Sequence, residues 1–317
     1  MVTGASGLLG ANLVLQATPE HEVIAVSHRQ RLAAPGVTSR QVDLTVREEA
    51  RALIAEFAPD WIVHCAAATD IDRCEDEPDV AFRLNRDMAA DVAASAFERR
   101  AAFLLISTDA VFDGEKGDYD EGDDPTPVSV YGRSKLEGER AVTAGHPQAI
   151  IVRTNIFGWN AQPKYGLAEW FLTRCGAGIR SPGWTDVRST PILVNDLAGI
   201  LLRLLASGGQ GIYHVGGSSC LSKYEFGRRL AAEFALDPEQ IVPASLQSAG
   251  LRAARGRNLC LRGARVEREL GLRLPPIEQG IARFRRLRDD GTVDRLRSML
   301  PDRAHSPSTA SQEGIHR

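Results

Sequence analysis

The chain has 317 residues, of which 43% are hydrophobic and 25% charged, and a formal net charge of −3. This length holds one large domain or two closely joined ones, and the composition is ordinary for a globular protein. The acidic balance gives no general attraction to nucleic acid or to an anionic membrane, and no apolar run reaches the roughly 18 residues of a membrane helix. Five cysteines (Cys65, Cys74, Cys175, Cys220, Cys260) in odd number and without C-x-x-C spacing read as free thiols in a reducing compartment, not as a disulfide scaffold or zinc site. Seven histidines are scattered without metal-ligand spacing, so no catalytic metal is expected. The N-terminus runs directly into a structural motif and leaves no room for a signal peptide. The expected location is therefore cytoplasmic.

In chain order, short apolar runs alternate with helical patterns. Strands are expected at 1–3, 22–27, 38–42, 61–65, 102–107, 149–154 and 212–215. Helices are expected at 8–17, 46–57, 78–99, 129–144, 194–206, 222–235 and 276–288. The alternation predicts an α/β fold, a Rossmann-like doubly wound parallel sheet with helices on both faces. The first strand is short against the five or six residues of an average strand, so it is stunted or begins upstream of Met1. Residues 1–157, with returning segments near 187–216, read as a dinucleotide-binding domain. Residues 158–186 and 217–300 read as a smaller interleaved substrate domain. The tail 301–317 is polar and aperiodic and is expected to be disordered. Arginines between 252 and 297 alternate with acidic residues, the pattern of a solvated helical surface rather than of nucleic-acid binding.

Two motifs carry chemistry. Gly4, Gly7 and Gly10, in Gly4-Ala5-Ser6-Gly7-Leu8-Leu9-Gly10, stand between the first strand and the first helix. Such glycines allow a tight turn and a close backbone approach to a pyrophosphate at a helix N-terminus. Downstream, Ser107, Thr108 and Asp109 end the apolar run from Phe103, and Tyr131 and Lys135 stand one helical turn apart on one face. A cation beside a phenol favours the phenolate, and a tyrosine tuned in that way can pass a proton to or from a carbonyl oxygen. Lysine is scarce here, at Lys116, Lys135, Lys164 and Lys223 only, so its presence at 135 is informative. At the end of the second strand, Ser27-His28-Arg29 offers no carboxylate for an adenosine 2′-hydroxyl, whereas Arg29 can meet a 2′-phosphate. NADPH is expected, with NADH possible.

Four blocks extend these motifs: GASGLLG (4–10), HCAAATDIDRCEDEPDVAFRLN (64–85), STDAVFDG (107–114) and YGRSKLEGE (131–139). Over roughly residues 1–285 they resemble the extended short-chain dehydrogenase/reductase family, and within it the dTDP-4-dehydrorhamnose reductases. The resemblance implies reduction of the C4 ketone of a nucleotide-linked 4-keto-6-deoxy sugar. It implies that Tyr131 donates the proton, Lys135 holds the nicotinamide ribose and lowers the tyrosine pKa, and Thr108 hydrogen-bonds the oxygen where charge develops. It places Gly4, Gly7, Leu8, Leu9, Gly10, Asp43, Leu44, Ala66, Ala67, Ala68 and Ser107 along the cofactor, and Asp109, Asn155 and Arg255 along the substrate. Asn85 supports a relay water or makes a helix-interior hydrogen bond.

Two positions depart from the reductases. Ala110 stands where they carry a tyrosine, and where the related sugar dehydratases carry a glutamate. Ile156 stands where they carry a tryptophan against the sugar. A regulatory protein resembling the methionine adenosyltransferase β subunit and a sugar-nucleotide epimerase are the alternatives, and a homodimer is possible.

Overall fold

The computed structural model describes residues 1–300. Seven parallel strands form one sheet. Six are β1 (Val2–Thr3), β2 (Val23–Ser27), β3 (Val37–Gln41), β4 (Trp61–His64), β5 (Ala102–Thr108) and β6 (Ile150–Thr154), and the seventh is Gly211–His214. Their spatial order, from one edge, is Gly211–His214, β6, β5, β4, β1, β2, β3. Each of these strands lies within a residue of its expected position. The sheet is buried on both faces because its side chains alternate between two apolar cores. Leu104 and Val152 join Leu13, Val14, Leu197 and Leu201 on one side. Phe103, Leu105 and Ile151 join Leu53, Ile54, Val92 and Val142 on the other. Period-two alternation with helices on both faces makes the fold doubly wound. The helices that position the site are α1 (Leu8–Ala17), α2 (Arg47–Phe57), α3 (Ile71–Asp76), α4 (Pro78–Phe82), α5 (Met88–Glu98) and α6 (Val130–Gly145).

The short β1 pairs on both sides, Val2 with Ala25 of β2 and with Val63 of β4. The Met1 ammonium donates to the Trp61 carbonyl at 2.7 Å, and burial pulls its pKa down to about 6.

The single helix expected over 78–99 is broken. Pro78–Phe82 and Met88–Glu98 are α-helical, and Arg83–Asp87 between them is a π-helical turn. There the Asn85 backbone carbonyl comes so close to Gly138 of α6 that a Cβ at 138 would collide with it. Insertions of this kind are frequent at functional sites.

The expectation of five free thiols is also corrected. Cys220 and Cys260 form a disulfide, leaving Cys65, Cys74 and Cys175 free. Spacing could not show this, because the two residues are brought together by the return of the chain along residues 253–261 and not by local geometry.

The helices Leu167–Gly176, Ala264–Leu270 and Thr292–Ser298 were not expected, nor were three two-stranded pairings. These are Ile156–Phe157 with Ile192–Leu193, Arg188–Ser189 with Leu221–Ser222, and Ser181–Trp184 with Ile241–Ala244. Among the described residues, no helix is long and apolar enough to cross a membrane. The tail expected to be disordered lies outside the described residues.

The disulfide closes a loop of sequence separation 40. Closing a loop of this size stabilises a fold by about 2–5 kcal/mol. Denatured without reductant, the protein should therefore yield three alkylatable thiols, and five after reduction, with a lower melting temperature when reduced. Five reactive thiols without reductant would show that the bond does not form.

Candidate active site

The site begins at the carboxyl ends of the strands. Gly4 ends β1 with φ +62°, and a Cβ there would lie 2.7 Å from the Ala66 backbone nitrogen. A Cβ at Gly10 would collide with the Gly4 carbonyl oxygen. Both positions therefore require glycine. Gly7 is the N-cap of α1, and no side chain caps that helix. The first-turn amides of α1 and its dipole thus remain available to an anion.

Above this loop opens a cavity of about 1020 Å³. Gly4, Gly7, Leu8, Leu9 and Gly10 line one part of it, and Arg29, Asp43 and Leu44 line the part beside β2 and β3. Ala66, Ala67, Ser107, Thr108, Asp109, Tyr131, Lys135, Asn155 and Arg255 line the rest. Ala68 is the exception among the expected residues. Its backbone N–H donates to Asn85 Oδ1 at 2.8 Å and its carbonyl accepts from Asn85 Nδ2 at 3.0 Å, away from the cavity. Asn85 also donates to Ser134 Oγ at 2.9 Å and is 1% exposed. Of the two roles expected for Asn85, this geometry is the structural one: it ties the Ala66–Ala68 turn to α6.

Helix α6 begins at Ser129, whose side chain accepts from the Gly132 N–H. Tyr131, Lys135 and Glu139 follow at four-residue intervals on its inward face. The Lys135 Nζ donates to the Ile106 carbonyl at 2.7 Å, and burial lowers its pKa to about 8. The Tyr131 phenol is pushed above the usual tyrosine range. Burial is the main cause, the Asp109 carboxylate adds to it, and the Thr108 hydroxyl works against it through a hydrogen bond. The expected lowering of the tyrosine by Lys135 is thus not found: Lys135 is not among the groups that shift it, and desolvation dominates. Thr108 Oγ1 donates to Asp109 Oδ1 at 3.1 Å and accepts from the Ala110 N–H at 3.1 Å. Asp109, buried, accepts from Asn155 Nδ2 at 2.8 Å, and desolvation raises its pKa to about 6.

Beneath these groups lies an ion pair that is almost wholly excluded from water. Arg153 of β6 and Glu139 of α6 are 2% and 3% exposed. Arg153 Nε donates to Oε1 at 3.0 Å and Nη2 to Oε2 at 2.7 Å. Ser107 of β5 donates to the same carboxylate.

At the end of β2, Arg29 is exposed and its neighbours Ser27, His28 and Gln30 also line the cavity. Asp43 accepts from the Thr45 N–H at 3.0 Å and from the Thr45 hydroxyl at 2.7 Å, which lowers its pKa. The strand end itself carries no carboxylate.

Sequence reasoning missed several lining residues: Trp184, Lys223, Phe226, Gln162 and Lys164. For Lys223 a signal existed, the same scarcity of lysine that marked Lys135. Among the described residues no group of three or more His, Cys, Asp or Glu side chains is placed to hold a metal ion.

The chain matches the family described as RmlD substrate binding domain over residues 1–287. It is 35% identical over 285 residues to the probable low-salt glycan biosynthesis reductase Agl14 of Haloferax volcanii, covering 89% of this chain and 95% of that protein. It is 32% identical to methionine adenosyltransferase 2 subunit beta of Danio rerio, covering 84% and 83% respectively. Among solved structures it is similar to dTDP-4-dehydrorhamnose reductase from Bacillus anthracis in complex with NADP. The TM-score is 0.80 and the identity 28%, over 89% of this chain and 96% of that one.

Removing one partner of a buried ion pair leaves the other charge uncompensated, at a cost of about 3–5 kcal/mol. Glu139→Gln should therefore lower the stability read from urea unfolding by that amount. A loss below about 1 kcal/mol would show that Arg153 finds another partner or water.

Proposed function

Because the chain belongs to the RmlD substrate binding domain family, we propose that it reduces the C4 ketone of a nucleotide-linked 4-keto-6-deoxy sugar with NADPH. It is an NAD(P)H-dependent sugar-nucleotide ketoreductase, and its fold is that of the Rossmann-type reductases of this family. The observation that carries the reading is one cavity that holds both an uncapped glycine-rich helix N-terminus and the set Thr108, Tyr131 and Lys135.

The residues present suit a dinucleotide. The uncapped start of α1 takes a pyrophosphate, Ala66 and Ala67 leave space at the sheet centre, and Arg29 meets a 2′-phosphate at the end of β2. NADH, which lacks that phosphate, is the weaker cofactor in this reading. When bound, the reduced nicotinamide supplies the hydride. Lys135 holds the adjoining ribose. Tyr131 donates a proton to the ketone oxygen, and its raised pKa keeps the phenol protonated until charge develops there. Thr108 hydrogen-bonds the same oxygen, a contact that strengthens as the oxygen becomes anionic. Asp109 and Asn155, hydrogen-bonded to each other, face the sugar, and Arg255 faces the diphosphate.

We assign cofactor binding to residues 1–157 with the returning segments near 187–216, and substrate binding to 158–186 and 217–300. We place the protein in the cytoplasm. A nucleotide-sensing role like that of the β-subunit relative is the second reading, and a sugar-nucleotide epimerase is a third. A sensor consumes no cofactor and an epimerase regenerates it, so oxidation of NADPH in step with ketone loss separates the first reading from both. The assay is a spectrophotometric screen against a panel of nucleotide-linked 4-keto sugars.

Tyr131→Phe should lower turnover by about 10²-fold or more, the size of a general-acid contribution, with little change in NADPH affinity. Near-wild-type turnover would remove Tyr131 from the mechanism.

Arg29→Ala should weaken NADPH by about 1.5–3 kcal/mol, the range of a charge-assisted hydrogen bond, and leave NADH nearly unchanged. Equal losses for both cofactors in a titration would make Arg29 a structural residue.

A further inference from the structure

Lys223 carries costs that a surface lysine does not. It is the first residue of the helix Lys223–Glu233, so its ammonium stands at the positive end of the helix dipole. It is largely removed from water, and burial together with the nearby Arg255 guanidinium lowers its pKa to about 8. In a chain with 38 Lys and Arg in all, only four of these are lysines, and one is kept here.

The backbone at this point is tightly held. Ser222 and Glu225 cap the helix reciprocally, and the Lys223 N–H donates to the Val187 carbonyl at 3.1 Å. The side chain then lies across Trp184, with Nζ 4.3 Å from the ring centroid. Both residues line the cavity, as do Asp109 and Arg255. Asp109 and Lys223 attract each other electrostatically. Arg255 is committed on its own side, with Nη2 3.3 Å from Asp72 Oδ1 and Nη1 donating to the Ala253 carbonyl at 2.9 Å.

We propose that Lys223 is a specificity-determining residue that donates a hydrogen bond to a ring hydroxyl of the sugar beside the reacting ketone, with Asp109 accepting from the same or the adjacent hydroxyl. An ammonium supplies donors only and a carboxylate acceptors only, so the pair is complementary to the two faces of a hydroxyl. Trp184 fixes the direction of the lysine stem and supplies an apolar wall for the sugar. Asp109 lies next to Thr108, so a hydroxyl held by the pair lies close to the carbonyl that Thr108 and Tyr131 address. Sites built around a substrate hydroxyl discriminate strongly against analogues that lack it.

This inference rests on the reductase reading above, and the test keeps the two apart. Wild-type protein and Lys223→Met are compared on a nucleotide-linked 4-keto sugar that the wild type reduces, on its 2-deoxy and 3-deoxy analogues, and with the free nucleoside diphosphate as inhibitor. NADPH affinity is measured for both proteins, and it should be equal, which reports an intact fold. The variant should lose about 10- to 100-fold in kcat/KM on the parent sugar, mainly through KM, the size of one hydrogen bond to a charged group. On one of the two deoxy analogues the loss should fall below about 3-fold, and the inhibition constant of the nucleoside diphosphate should stay within about 2-fold. Lys223→Arg, which keeps a cationic donor of different shape, should recover part of the loss on the parent sugar. Equal losses on all three sugars, weakened nucleoside diphosphate binding, or no loss at all would each overturn the assignment. Absence of turnover by the wild type on every 4-keto sugar would instead overturn the reductase reading, and this proposal with it.

Discussion

The active face of α6 is anchored most deeply by the buried pair between Arg153 and Glu139. Two charges in this position are expensive to desolvate, and good geometry offsets part of that cost, although Arg153 Nη1 has no hydrogen-bond partner among the described residues. Here the pairing is bidentate, Ser107 adds a third donor, and the guanidinium lies 5.2 Å from the Phe112 ring centroid. The three polar partners come from β5, β6 and α6. Each is next to a group that lines the cavity: Ser107 precedes Thr108, Arg153 precedes Thr154 and Asn155, and Glu139 lies one turn beyond Lys135. A shift of α6 along its axis would strain the pair and displace Tyr131 from Thr108 together, because Glu139 and Tyr131 are on the same helix. The pair also sets charge, because Glu139 is the main influence that opposes desolvation of Lys135.

Burial also governs the protonation of the cavity walls. Lys135 and Lys223 are both drawn down to about 8, and Asp109 up to about 6. Desolvation thus brings all three towards neutrality near physiological pH. An anionic ligand would reverse this for the lysines by favouring their charged forms. Tyr131 is moved upward by the same burial. A phenol held above its ordinary pKa is fully protonated at neutral pH, so it carries the proton that a reduced ketone oxygen takes up, although as a weaker acid than a free tyrosine.

The central sheet was legible in the sequence because its signal is local. Strands buried on both faces are continuous apolar runs, such as Phe103 to Ile106, and β2, β5 and β6 end in residues of the cavity wall, Ser27, Thr108 and Thr154. The glycine loop and the Tyr131–Lys135 pair are local as well, and so is the absence of a carboxylate at the end of β2. What was not legible depends on contacts between distant segments. The π turn at Arg83–Asp87 belongs to a helix whose pattern looks continuous, and its position makes sense only against Gly138 of α6. The Cys220–Cys260 bond joins two loops that no spacing rule connects. Trp184 and Lys223 enter the site from a strand of four residues and the start of a helix, both fixed by pairings made late in the chain.

The same two residues change how Ala110 and Ile156 are to be understood. Taken alone, an alanine and an isoleucine in place of aromatic side chains imply a sugar pocket that has lost its flat walls. The cavity nevertheless has an indole, that of Trp184, and a cation lies over it. An aromatic face covered by an ammonium presents hydrogen-bond donors where a bare ring presents only contact area. Ala110 and Ile156 leave aliphatic surface in the cavity, and Lys223 supplies hydrogen-bond donors to it. On the assignment proposed for Lys223, discrimination between sugars rests less on stacking than on the count and placement of hydroxyls.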